Sequence, residues 1–257
     1  MSKLIHFELF KVFRQKKLYL FMLILIAVEI SAVFQYEWDA SGFTDTGPNG
    51  QSFPLLVLHN SPLFIAIFVA ILAADSIAEE YRSGTLKKAL LCPISRLDLL
   101  HAKIVFMFTV MMVLPIFSVF SSYVVGTVAF GWGDRTAVGE VVYPFSEGIQ
   151  LLVHMILLSV PPNLALGMVV IFVALVTANP GASIGTALVL IVLSPLVEGI
   201  SQLEDLFIGY QLRAFPLLPL HDPAAQDLLG GLTVILTYLG VSYTGSVMMI
   251  RKKDILT

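Results

Sequence analysis

The chain has little charge and almost no cysteine. Lys, Arg, Asp and Glu make up 13% of its 257 residues, about half the ~25% usual in a soluble domain, which excludes an ordinary water-facing surface. A single cysteine, Cys92, excludes a disulfide framework within one chain. No GxxxxGK[ST] phosphate-binding loop occurs, so the chain lacks that means of holding ATP. HExxH is absent too, as is any Cys/His cluster spaced for a metal. What is present instead is oil: 57% of residues are hydrophobic and the mean hydropathy is +0.88.

Such a composition is best counted in membrane spans. A span needs about 20 mostly apolar residues, because a helix rises about 1.5 Å per residue and the hydrocarbon layer is about 30 Å thick. Six stretches qualify, roughly 18–36, 60–79, 101–126, 149–176, 182–198 and 228–250. Segments such as FMLILIAVEISAVF and TALVLIVLSPL are apolar all round rather than alternating, which favours helices over barrel strands. Pro62, Pro115, Pro161, Pro162 and Pro195 fall within or beside these stretches, where neighbouring helices can satisfy the freed carbonyls. The expected fold is therefore an all-α integral membrane protein, a single transmembrane domain over residues 1–257.

Orientation follows from the basic residues, which cytoplasmic segments retain. With the N-terminus inside, 13 of the 15 Lys and Arg lie on the cytoplasmic side, leaving Arg135 and Arg213 outside. The outer loops are acidic. Both termini are thus expected in the cytoplasm, and the net charge of -3 points to no nucleic-acid partner. The basic start is long and the first apolar segment lacks a small-residue cleavage site, so span 1 is expected to be retained rather than removed as a signal peptide.

Residues 1–17 are expected to form a helix in the membrane surface. At 100° per residue Ile5, Leu9, Val12 and Phe13 share one face, while Glu8, Lys11, Arg14 and Gln15 gather on another, with Lys16 and Lys17 placed against anionic headgroups of the lipid bilayer.

Between spans 2 and 3 the sequence EYRSGTLKKALLCPISR breaks the apolar pattern. Gly84 permits the positive φ that ends a helix, Thr85 is a fair N-cap, and Pro93 stops the helix that Thr85 begins. Between them LKKALL makes about two helical turns, roughly 10 Å, too short and too charged to cross anything. Ser95 with Asp98 three residues later has the spacing of a capping box that starts the helix into span 3. The 79–101 segment is either a transverse helix presented for docking or a solvated connection.

Its residues bear a resemblance. EYRSGTLKKALLCPISRLDLLHAK is similar to the intracellular loop of ABC transporter type-2 permeases, through Glu80, Gly84, Thr85, Leu86, Pro93, Ser95, Arg96 and Lys103. The length, six spans, inside termini and apolar outer stretch between spans 5 and 6 extend the resemblance to the whole chain. It implies that 1–17 is a connecting helix and 79–101 a coupling loop. Glu80, Arg82, Gly84, Thr85, Leu86, Lys87, Lys88, Leu90, Leu91 and Arg96 would then meet a separate cytoplasmic ABC ATPase. It further implies two ATPase copies, a second copy of this permease or a similar one, ATP and Mg bound by the ATPase with no cofactor bound by this chain, and the cytoplasmic membrane of a bacterium. Small permeases of this kind often export antibiotics or antimicrobial peptides, so a hydrophobic or amphipathic cargo of that class is expected.

Two other classes fit the residues less well. Glu79-Glu80 resembles the EExxxR start of CAAX-type intramembrane proteases, but Gly84 stands where the arginine belongs and Gln150 precedes His154 by four where a phenylalanine is needed. A secondary transporter built from repeats should show related halves, and none is legible.

Four further features stand out. Glu29 lies past the middle of span 1, where a short acid cannot snorkel, as a contact in the substrate route or dimer seam or as a hydrogen-bonded carboxyl within the bundle. Asp75 lies near the cytoplasmic end of span 2, within expected reach of water or Lys103. In the outer segment 199–227, Leu203, Leu206, Phe207 and Tyr210 share a helical stripe, with Leu206, Phe207 and Tyr210 as candidate outer-gate residues of a re-entrant or interfacial piece ended by Gly209, Pro216 and Pro219. Gly181 and Gly185 offer a GxxxG face on span 5.

Overall fold

The structure is a computed structural model that describes residues 2–39, 49–60, 62–82, 95–138, 141–200, 203–220 and 225–252. Among these, six helices are long and apolar enough to cross a membrane, and the protein is an all-α, multi-pass membrane protein. Span 1 is Lys16–Asp39 and span 2 begins at Pro62–Ala74. Span 3 is Arg96–Phe130, span 4 Phe145–Thr177, span 5 starts as Pro180–Val192 and span 6 is Ala225–Lys252. A surface helix, Ser2–Arg14, precedes span 1 after a one-residue break at Gln15.

The spans are longer than hydropathy alone indicates because their polar ends remain helical. Span 3 has 35 residues, about 52 Å at 1.5 Å per residue. Its start is the expected cap: the Ser95 side chain accepts from the Asp98 backbone N–H at 3.0 Å. Span 5 begins with Asn179 accepting from Gly181 N–H at 2.9 Å and with Pro180 at the first position, where its missing N–H has no cost. It breaks at Leu193 before a last turn, Ser194–Val197, that carries Pro195.

Span 2 is not a plain α-helix. Residues Asp75–Glu79 form a π-helical turn before the helix finishes as Glu80–Arg82. The widened turn lies between Asp75 and Glu80, two acids that both form ion pairs. Hydropathy carries no signal for it.

At the opposite end of the bundle, its head, the sequence led us to expect helices and loops alone, but a two-stranded antiparallel hairpin joins spans 3 and 4. Arg135–Val138 (β1) pairs with Val141–Pro144 (β2), with Thr136 opposite Tyr143. Thr and Val suit extended backbone, and the segment before span 2 holds the hairpin in place. Asn49 Nδ2 donates to Arg135 O (2.8 Å), Gln51 Nε2 to Gly133 O (2.6 Å), and Ala137 N–H to Ser52 Oγ (2.8 Å). A short helix, Phe53–Asn60, then leads to span 2.

The main core joins spans 1 to 5 through Leu18, Phe21, Leu25, Phe68, Leu72, Phe106, Met111 and Ile171, among others. Phe21 and Phe68 stack with ring centroids 4.4 Å apart. A second cluster, Ala165, Ile208, Phe215 and Ile235, seats the helix Ile208–Leu217 between spans 4 and 6.

Candidate functional site

The foot of the bundle, where the surface helix meets spans 2 and 3, carries a buried ion cluster. Lys103, on span 3, is only 1% exposed. Its ammonium donates to Glu8 Oε1 at 2.8 Å and to Glu80 Oε1 at 2.7 Å, and Lys11 also donates to Glu80. Two helical turns of the surface helix, the end of span 2 and the start of span 3 are therefore joined by four charges that sum to zero. A buried lysine is tolerated only when paired, and the two carboxylates supply that pairing.

This arrangement corrects two expectations. The helical wheel puts Glu8 on the water-facing side of the surface helix, yet it is 3% exposed. The helix turns its Glu8 and Lys11 side to the protein because Lys103 and Glu80 wait there, leaving Phe7, Phe10 and Phe13 exposed. Nor is Lys103 the partner of Asp75, since it is engaged by Glu8 and Glu80. Asp75 instead accepts from Lys17 Nζ at 2.6 Å, one helical step along from the cluster.

The other residues expected at the coupling loop are divided by position. Arg82 is exposed and lines a cleft of about 570 Å3 with the span 4 to span 5 turn at Thr177–Gly181. Arg96 Nη1 donates to Ile250 O at 3.2 Å, so that it caps the last turn of span 6, where a cation also suits the helix dipole. Gly84, Thr85, Leu86, Lys87, Lys88, Leu90 and Leu91 lie outside the described residues.

Glu29 is the one charged residue on the buried stripe Leu18, Phe21, Leu25, Glu29, Val33 of span 1. Its Oε1 accepts from Ser121 Oγ (2.8 Å) and Ser118 Oγ (3.2 Å) of span 3. Its Oε2 and the buried hydroxyl of Ser122 have no hydrogen-bond partner among the described residues. These hydrogen bonds join spans 1 and 3 of the same chain.

At the head, the expected helical stripe is not one helix. Leu203–Leu206 form turns and Phe207 is extended. The helix begins only at Ile208, so Leu206 and Phe207 precede it while Tyr210 lies in its first turn. Gly209 does not end this helix. It stands at the second position because a Cβ there would lie 2.3 Å from the backbone oxygen of Leu190 on span 5. Pro216 is inside the helix and Pro219 in the 3-10 turn Leu218–Leu220 that finishes it.

Beside this cap helix a cavity of about 600 Å3 opens between the start of span 2 and the end of span 5, lined by His59, Leu63, Glu198, Tyr210, Arg213 and Leu217 among others. Arg213 Nη1 donates to Glu198 Oε1 at 2.6 Å. Burial first, and then the carboxylates of Glu204, Asp205 and Glu198, hold the Tyr210 phenol above its usual range, with Arg213 pulling the other way. The sequence gives no direct sign of this cavity because its wall comes from three segments spread over residues 59 to 217. The isolated Arg213, one of the two basic residues apart from the 13 assigned to the other side, is the available signal.

Among the described residues no group of three or more His, Cys, Asp or Glu is placed to hold a metal ion. Residues 4–194 match the model of a family described as ABC-2 family transporter protein, a stretch that runs from the surface helix through most of span 5. No curated protein matches the chain.

Proposed function

The chain belongs to the ABC-2 transporter family, and we propose that it is the permease subunit of an ATP-driven exporter whose cargo is a hydrophobic or amphipathic compound, of the antibiotic or antimicrobial-peptide class. The family is the transmembrane component of its transporters and works with an ABC ATPase. In this reading the ATPase binds ATP and Mg and this chain binds no cofactor. Two permeases and two ATPases form the working unit in the cytoplasmic membrane of a bacterium, with the foot of the bundle and both termini inside.

The observation that carries the proposal is the position of Glu80. It lies at the end of span 2, three residues before the segment 83–94, and is held by Lys11 of the surface helix and Lys103 of span 3. A push on the loop at 83–94 would reach Glu80 and be shared between these two helices. Glu80, Arg82, Gly84, Thr85, Leu86, Lys87, Lys88, Leu90, Leu91 and Arg96 are proposed as the ATPase-facing segment. Within it Glu80 and Arg96 act by holding the segment to the bundle. The apolar faces of spans 1 and 5 that remain exposed, including Leu23, Phe34, Val189 and Val192, support a second permease copy and an apolar route. Leu206, Phe207 and Tyr210 are proposed to close its outer end.

The test is hydrolysis in nanodiscs, with the permease alone and with an ABC ATPase that co-purifies with it. The expected outcome is no turnover from the permease alone and cargo-stimulated turnover from the pair, reduced severalfold by Glu80→Ala although all six spans remain inserted. Turnover by the chain alone, or full coupling in Glu80→Ala, would overturn the reading.

A further inference from the structure

We infer that the cavity beside the cap helix is a binding site for an amphiphile with a zwitterionic head, an ammonium group beside a phosphate or carboxylate. Its wall joins charge to oil. Glu198 and Arg213 form an ion pair at 2.6 Å with side chains about one third exposed, 32% and 40%. Tyr210 adds a phenol, His59 an imidazole, and Leu63 and Leu217 the apolar side. At about 600 Å3 the volume falls in the range that holds a drug-sized molecule, roughly 300–1,000 Å3.

The charge pattern selects the class of head group. The pair sums to zero, so a lone anion drawn to Arg213 must approach Glu198, and a lone cation drawn to Glu198 must approach Arg213. A zwitterion exchanges one ion pair for two: its anion takes the guanidinium, whose bond to Glu198 uses one of five donors, and its ammonium takes the carboxylate, which has room for several hydrogen bonds. The flanking acids sharpen the choice. Glu204 accepts from the Gly199 N–H at 3.0 Å, and together with Asp205 it acts on Tyr210. These acids favour an ammonium at the cavity and oppose a bare anion. The Tyr210 hydroxyl is a neutral donor for the anionic part. The site stands on these residues whether or not the chain exports anything.

The same chemistry is found in an outer-leaflet phospholipid and in an amphipathic peptide whose free amino terminus is on an aspartate, which sets a carboxylate beside the ammonium. The experiment separates these sources. The full chain in maltoside micelles is titrated with lysophosphatidylethanolamine, lysophosphatidylglycerol, and a leucine-rich hexapeptide with a free N-terminal aspartate and an amidated C-terminus, and bound ligand is read by native mass spectrometry. The expected result is at least tenfold tighter binding of the ethanolamine lipid than of the glycerol lipid. Binding of the peptide as well would place the site on the cargo side, and its failure to bind would assign the site to lipid. Arg213→Ala should weaken binding of both lipids at least tenfold, because each phosphate loses its guanidinium. Because this change leaves Glu198 without its cation and can disturb the fold, Arg213→Gln combined with Glu198→Gln serves as the second variant: it keeps a neutral hydrogen-bonded pair and should lose most of the preference, leaving only the part owed to Glu204 and Asp205. Equal binding of the two lipids by the unaltered chain, or a preference that survives undiminished in the double variant, would overturn the proposal.

Discussion

Lys103 and Glu8 stand 95 residues apart in sequence and 2.8 Å apart in space, both almost wholly buried. That contact fixes which side of the surface helix faces the bundle, and with Glu80 it makes the foot of the molecule one mechanical piece.

Breaking this contact from one side should be costly. Lys103→Met leaves Glu8 and Glu80 facing each other without their shared cation, and removal of one partner of a buried pair costs about 3–5 kcal/mol. Thermal unfolding in detergent should show a large drop for Lys103→Met. The triple change Lys103→Met, Glu8→Gln, Glu80→Gln should recover much of it, because no carboxylate then remains buried without a cation. If the single variant melts with the unaltered protein, the cluster does not hold the surface helix.

Glu29 should behave in the opposite way. Glu29→Gln keeps an acceptor for Ser118 and Ser121 and adds an amide donor beside the unpartnered Ser122. In Glu29→Leu, Ser121 still has the Phe117 and Ser118 carbonyls, at 3.0 and 3.1 Å. Glu29→Gln should therefore change unfolding by less than about 1 kcal/mol, within the usual span of mild substitutions. A transport defect in a variant of unchanged stability would identify the carboxyl as functional; unchanged transport in both variants would make it a structural group.

Orientation can be read by labelling single cysteines in a Cys92→Ser background with an impermeant thiol reagent. Asp134→Cys at the hairpin should react from outside and Ser83→Cys should not. Thr136, on the same hairpin, is a poor probe, since it is 2% exposed and packed under Gly148. Reaction at position 83 in intact cells would invert the assignment.

Two glycines should separate packing within the subunit from contact between subunits. Gly209→Ala places a Cβ against the Leu190 carbonyl, which cannot rotate away, and overpacking of this kind costs about 1–3 kcal/mol. Gly185 has nothing within 4 Å of its missing Cβ, so Gly185→Leu should leave the subunit's unfolding unchanged. If the span 5 face meets a second copy, cross-linking in membranes should show fewer dimers for Gly185→Leu and unaltered numbers for Gly209→Ala. Unaltered dimer yield in Gly185→Leu would remove span 5 from that contact.

The solvent and the plan of the chain are legible in its residues alone. Runs such as FMLILIAVEISAVF allow only a membrane-buried helix, because lipid offers no partner for the backbone. The cap at Ser95 is legible because the bond to the Asp98 N–H spans three residues, and the break of span 5 near Pro195 because proline acts on its own turn. The family's loop motif is legible as a local string for the same reason. Packing of the bundle settles the features that depend on residues far apart in the chain. A helical wheel cannot say that Glu8 faces inward, because the reason is Lys103 on another span. Neither the π turn at Asp75–Glu79 nor the pairing of Asp75 with Lys17 has a local signal, and the hairpin after Gly133 is held by Asn49, Gln51 and Ser52. The cavity at Arg213 closes only when the end of span 5, the start of span 2 and the cap helix come together. Local rules fix helices and their ends, whereas the partner of a buried charge is chosen by whichever distant group the packed bundle brings within about 3 Å.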